Sequence, residues 1–304
     1  MSTTAGVGGS GFDLGLPTYS ASEVSAQDYG SWLLYGPQGS GKTYLASTLA
    51  KLGPTVMIDL VGENGPRAFA GSPWEKNITI VRPESVTQLD DLYWKLAAGG
   101  HPYKAVIIDS ITSVQRLTGR YLRGFEESTL REIRRGASAK SDWDIWGQSL
   151  GIVGDIVTYY CRLAKGNSPH RMHVAITAQY KAVENEVEGI VERLPDVQKG
   201  AVSQVLGPPD YVLWTDVERN PAAVGDDTQP ASIHTVRFGE HVGYRTKARI
   251  PYDLQGRMPS ILGRNGQSPD LATLSRVLRI GGIPAAPAKT KTTKTTAQPA
   301  TAEN

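Results

Sequence analysis

Gly36-Pro37-Gln38-Gly39-Ser40-Gly41-Lys42-Thr43 follows a β-type run, SWLLY (31–35), and opens a helix-type segment at about 42–51. The octapeptide fits the spacing G-x-x-x-x-G-K-[ST]. Glycines in such a loop let successive backbone N–H groups curl around phosphate oxygens, while the positive end of the next helix points at the same anion. Lys42 is expected to reach the β- and γ-phosphates, and Thr43 to place its hydroxyl on Mg²⁺, an ion that takes oxygen ligands. The expected nucleotide-binding residues are therefore Gly36, Pro37, Gln38, Gly39, Ser40, Gly41, Lys42 and Thr43, with ATP and Mg²⁺ as cofactors.

Outward from this loop, β-type and helix-type patterns alternate. TVMID (55–59), ITIVR (78–82), AVIID (105–109) and HVAITAQ (173–179) read as strands, several of them apolar on both faces. Between them, Val86, Leu89, Leu92 and Leu96 fall on one side of a helix, and further helices are expected at about 111–135 and 143–166. Such alternation predicts a mostly parallel sheet flanked by helices, an α/β fold. YVLWTDV (211–217), IHTVRF (233–238) and GYRTKARI (243–250) alternate polar and apolar residues and predict antiparallel edge strands near the C-terminus. Residues 180–210, with Pro195, Pro208 and Pro209, read as a long irregular stretch.

Composition sets the outer limits. The chain has 304 residues, a net charge of +2 and one cysteine, Cys161. A lone cysteine excludes an internal disulfide and a cysteine-based zinc site, and a cytoplasmic protein is expected, in the host cell if the gene is a phage's. No apolar run reaches the length that crosses a bilayer, and the first residues lack a signal-peptide pattern. Residues 1–20 and 284–304 hold too little apolar surface to offset the entropy of ordering, so both are expected to be disordered around one domain at 21–283.

A nucleoside-triphosphate site needs an acidic group opposite the loop. Asp109, at the end of AVIID, supplies it and is expected to hold Mg²⁺ through water; the bland alternative is a helix cap after a core strand. The next residue is Ser110, not Glu, so the carboxylate that orients the attacking water must come from elsewhere.

Val106-Ile107-Ile108-Asp109-Ser110-Ile111-Thr112 resembles the Walker B strand of the RecA/RadA recombinase superfamily. Met57-Ile58-Asp59-Leu60-Val61-Gly62-Glu63 and Ile176-Thr177-Ala178-Gln179 are similar to the segments that end, in that superfamily, near a catalytic Glu and in a Gln that senses the γ-phosphate. The short lead-in to the loop, the Trp143/Trp146 pair and Tyr244-Arg245-Thr246-Lys247-Ala248-Arg249 look like the compact RecA-like ATPases of bacteriophages. The resemblance implies a RecA-like P-loop ATPase with Lys42, Glu63, Asp109 and Gln179 as catalytic residues. It also implies head-to-tail homo-oligomers, ring or filament, in which Lys247 and Arg249 act on the neighbour's nucleotide. Single-stranded DNA is the implied partner, in annealing or recombination, alongside phage or host recombination and replication proteins. Glu63 lies four residues beyond Asp59, where the family's Glu usually lies two beyond, and Lys247 with Arg249 equally suits a solvated edge strand.

Charge is segregated along the chain. Residues 111–141 carry seven cations against three anions, a net of +4, with Arg116, Arg120 and Arg123 recurring at helical spacing and Tyr121 and Phe125 interleaved. That combination suits phosphate tracking with base stacking, the mode used on single strands, or else a solvated helix face. Residues 180–206, where the family's second DNA loop falls, have a net charge of −2, the wrong sign for a phosphate backbone. Two other readings share the loop: a nucleotide-occupancy switch with little turnover, and a P-loop motor or helicase-loader-like ATPase.

Overall fold

The computed structural model describes residues 29–280, apart from 61–62, 125–141, 166–169, 186–188, 225–227, 240, 242 and 265–266. The two expected disordered ends, Phe125, and the cations Arg131, Arg134, Arg135 and Lys140 lie outside the described residues. Eight strands form one sheet: β1 (Ser31–Tyr35), β2 (Thr55–Asp59), β3 (Ile78–Val81), β4 (Ala105–Asp109), β5 (His173–Ala178), β8 (Tyr211–Arg219), β9 (Ser232–Arg237) and β10 (Ile261–Leu262). Their order is β10-β9-β8-β1-β5-β4-β2-β3. From β8 to β3 every pairing is parallel, whereas β9 and β10 join antiparallel; antiparallel strands near the C-terminus are thus present, but the 211–217 run expected among them lies inside the sheet as β8, parallel to β1, and the last edge strand is β10. A separate hairpin pairs β6 (Tyr180–Asn185) with β7 (Ile190–Pro195).

Helices cover both faces, which is why β1, β2, β4 and β5 are buried at every position. On one face, Leu33, Val106, Ile108 and Ile176 pack with α2 (Val86–Ala98), α3 (Ile111–Leu122), α4 (Asp142–Arg162) and α5 (Val202–Leu206). On the other, Trp32, Leu34, Ala105 and Ile107 meet α1 (Lys42–Ser47) and α6 (Leu271–Val277). Successive strand residues thus feed two separate cores, the period-2 consequence of a pleated sheet. Serine side chains cap α2 and α3: Ser85 Oγ accepts from Gln88 N at 3.1 Å and Ser110 Oγ from Ser113 N at 3.3 Å. Among the described residues no helix is long and apolar enough to cross a membrane.

Two further expectations need correction. Residues 180–210 are not irregular: they hold the β6–β7 hairpin, a 3₁₀ turn at Lys199–Ala201 and α5. The hairpin pairs with no strand of the main sheet, so its strands need no apolar face and their acidic composition hides the β alternation. Residues 243–250 do not form a strand. β9 ends opposite Trp214, and beyond it Lys247 makes only an isolated antiparallel bridge to Val212. Side chains satisfy the neighbouring backbone instead: Tyr35 Oη donates to Arg245 O at 2.9 Å and accepts from Arg245 N at 2.8 Å, and Tyr211 Oη donates to Arg249 O at 3.0 Å.

Candidate active site

The loop after β1 sits at the carboxyl end of the parallel strands, where the chain leaves β1 and crosses β5 and β4 to reach β2. Crevices at such switch points are where open α/β sheets bind ligands. Three glycines shape the loop for different reasons. A Cβ on Gly36 would come within 2.2 Å of Thr215 O, so this position lies tight against β8. Gly39 and Gly41 adopt φ of 76° and 84°, the left-handed region that side chains disfavour. Ser40 Oγ and Thr215 Oγ1, 2.7 Å apart, tie the loop to β8 as well.

Lys42 Nζ donates to Gly36 O at 3.0 Å and Pro37 O at 2.6 Å, which holds the ammonium over the loop. Burial pushes its pKa down, and the charges of Asp109 and Glu63 oppose that shift. Asp109 is buried and joined to Ser110 by a cis peptide bond. Its carboxylate accepts from Thr43 Oγ1 at 2.8 Å and from Thr177 Oγ1 at 2.5 Å. Burial raises the Asp109 pKa; the two hydroxyl bonds oppose the shift, and Glu63 and Asp59 add to it. A hydroxyl beside a carboxylate is the all-oxygen donor set that suits Mg²⁺, so Thr43 and Asp109 fit the expected ion.

Glu63 faces the same place. Its Oε1 accepts from Ser110 Oγ at 2.8 Å and from Ser113 Oγ. Gln179 follows β5 directly, its N–H donating to Thr112 Oγ1 at 3.2 Å and its carbonyl accepting from Asp196 N at 2.7 Å. A cavity of about 430 Å³ brings together Gln38, Lys42, Glu63, Asp109, Arg116 and Gln179. On the other side of the loop, a second cavity of about 440 Å³ runs between Tyr44, Ala68, His234 and Ser268. The two flank Lys42 and Thr43, which leaves room for phosphates on one side and a nucleoside on the other. A larger groove of about 870 Å³ lies between β7 and residues 241–247 and shares no residue with the loop.

The remaining sequence candidates are distributed differently. Lys247 Nζ donates to Leu206 O and Gly207 O at 3.3 and 2.6 Å, and Arg249 pairs with Asp210 at 3.0 Å. Both lie beside the start of β8, since Val212 pairs with Leu33, whereas the loop begins beyond Tyr35. They are thus outside their own chain's site and bonded within their own chain. Arg120 and Arg123 are half-buried, and Tyr121 is 40% exposed. Arg116 does not simply extend their stripe, because it lines the 430 Å³ cavity.

Thr177, Ser110 and Ser113 escape a reading from motifs alone. One signal was available for Thr177: it is the only hydroxyl in the otherwise apolar VAITA segment, two residues before Gln179. Asp59, level with Asp109 on the adjacent strand, is also held inside the site wall, accepting from Gly65 N at 3.2 Å and pairing with Arg82 at 2.9 Å.

A glycine-rich loop at a switch point, facing a buried carboxylate on the second strand over, defines a P-loop ATPase. The model of a family described as an AAA domain matches residues 30–250, and the chain belongs to that family. No curated protein matches it.

Proposed function

We propose that the chain is a RecA-like DNA recombination ATPase that binds single-stranded DNA as a homo-oligomer, of the recombinase or single-strand annealing kind found in bacteriophages. The backbone of Gln179 carries this reading. It is bonded on one side to α3, beside the phosphate cavity, and on the other to the end of β7, so the hairpin's base and the nucleotide site share one residue. A change at the terminal phosphate therefore has a direct route into the hairpin.

In the chemical step, Glu63 orients the attacking water and takes up its proton, while Thr43 and Asp109 would hold a Mg²⁺ that would supply positive charge against the phosphates. Lys42 and the loop N–H groups bind the phosphates, and Lys247 and Arg249 of an adjacent protomer add positive charge as the transition state forms. Turnover is then expected to rise faster than linearly with protein concentration. The experiment is the ATPase rate with and without single-stranded DNA over a range of salt. Stimulation that fades steeply with salt supports the reading, because phosphate contacts release counterions. A DNA-independent rate sinks it.

One observation favours a second reading, a nucleotide-occupancy switch with little turnover. Both hydroxyls that reach Glu63 donate to the same oxygen, so the lone pairs of that oxygen are already engaged where an attacking water would have to be oriented. A rate well below one turnover per minute, with tight ATP binding, would favour the switch.

A further inference from the structure

Arg116 lies on α3 one turn beyond Thr112 and Ser113, and the i+4 and i+3 spacings make it a surface neighbour of each. Thr112 carries the hydroxyl that receives the Gln179 N–H and Ser113 the hydroxyl that binds Glu63. Arg116 extends this surface into the cavity shared with Lys42, Asp109 and Gln179. The carboxylates within that cavity are engaged by hydroxyls, Asp109 by Thr43 and Thr177, Glu63 by Ser110 and Ser113. Among the described residues no hydrogen bond or ion pair engages the Arg116 guanidinium, in contrast to Lys247 and Arg249. A planar, permanently charged fork at the rim of a phosphate cavity suits the paired oxygens of a terminal phosphate.

We propose that Arg116 binds the terminal phosphate of the nucleotide in cis, so that each protomer distinguishes triphosphate from diphosphate by itself. The inference rests on the nucleotide-site reading and goes beyond it. The loop amides hold phosphates common to both nucleotides and Lys42 spans the β- and γ-phosphates, whereas Arg116 enters the cavity from α3, an element separate from the loop. It assigns Arg116 to ATP rather than to the DNA-facing stripe. The same helix carries Thr112, so the group that meets the terminal phosphate and the group that holds Gln179 move together.

Binding of ADP and of a non-hydrolysable ATP analogue, each with Mg²⁺ and without DNA, tests the proposal in the full-length chain. Arg116→Ala is expected to weaken the ATP analogue by about 10- to 100-fold, the range for losing a charge-assisted contact, and to leave ADP within about twofold. Arg116→Lys, which keeps the charge but not the fork, is expected to fall between; it also serves should the alanine variant fold poorly. Loss of single-stranded DNA binding with unchanged nucleotide binding overturns the proposal, as does an equal loss of both nucleotides in Arg116→Lys. Wild-type protein that binds neither nucleotide overturns the site reading itself. Wild-type protein that binds both, beside an Arg116→Ala variant with no preference lost, overturns this inference alone.

Discussion

At Asp109, function and stability pull in opposite directions. Burial raises its pKa, so the charged form needed to hold Mg²⁺ costs the folded state free energy above that raised value. Asp109→Asn is expected to abolish Mg²⁺-dependent turnover and yet to raise the thermal midpoint near neutral pH. The gain should shrink as pH falls and the wild-type carboxyl takes up its proton. Thermal unfolding of both proteins across pH checks this; a variant less stable than wild type at neutral pH would contradict it. His173 shows the reverse sign. Its ring is buried, Nδ1 accepts from Gly30 N at 3.2 Å, and burial lowers its pKa from 6.5 to about 4. Its contribution is therefore complete above the unfolded value and is lost as pH falls from 6.5 toward 4, about 3 kcal/mol in all. In urea unfolding, His173→Gln, which keeps an acceptor for Gly30, is expected to lose less stability between about pH 7 and about pH 5 than wild type. Equal losses would remove His173 as the cause.

Among the elements, the hairpin is the one whose removal should separate coupling from folding. Its strands pair with no other strand, and its ties to the rest are local: Tyr180 against Trp214, Arg193 N donating to Gly243 O at 2.7 Å with its guanidinium over Tyr244, the Glu192–Arg245 pair at 2.6 Å, and Lys181 donating to Val197 O. Replacing residues 182–193 by a short turn is expected to leave nucleotide affinity within about twofold, since none of them lines either nucleotide cavity, and to remove stimulation by DNA. A shortened protein that keeps full stimulation would show that coupling does not run through the hairpin. The hairpin also shows where sequence patterns stop being informative. AVIID and SWLLY are legible because strands buried on both faces must be apolar throughout, and both boundaries match the structure. A hairpin outside the sheet obeys no such rule. The 243–250 segment fails in the opposite way: it alternates like a strand, but β9 has already taken the longer part of the β8 edge. The loop, Asp109, Glu63 and Gln179 could be located from motif order alone. The hydroxyls that hold them could not, because Thr43, Thr177, Ser110 and Ser113 meet their carboxylates only when four separate segments converge. The place of Arg116 in the phosphate cavity was not legible for a related reason, since spacing along α3 gives its side of the helix but not the neighbouring loop.

For the whole molecule, a net charge of +2 hides the segregation that matters, and Arg116, Arg120 and Arg123, on and just after α3, are the described cations of the basic segment. Tyr121→Ala is expected to weaken single-stranded DNA binding by about 1–3 kcal/mol, the range for one stacked base, with nucleotide binding unchanged. Fluorescence anisotropy with a labelled oligonucleotide would show it; an unaltered affinity would leave α3 without a stacking role.

The strand that delivers the loop also constrains how the chain can be made. β1 pairs with β5 and β8 and with no strand between residues 36 and 172. During synthesis, Trp32, Leu33 and Leu34 must therefore wait, both edges open, until β5 and then β8 have left the ribosome. The pairing of highest sequence separation lies at the centre of the sheet, which favours slow folding and a period of exposure to chaperones. A chain stopped before Tyr211 would keep the whole loop motif and still leave one edge of β1 uncovered, so its expected fate is aggregation rather than a smaller ATPase.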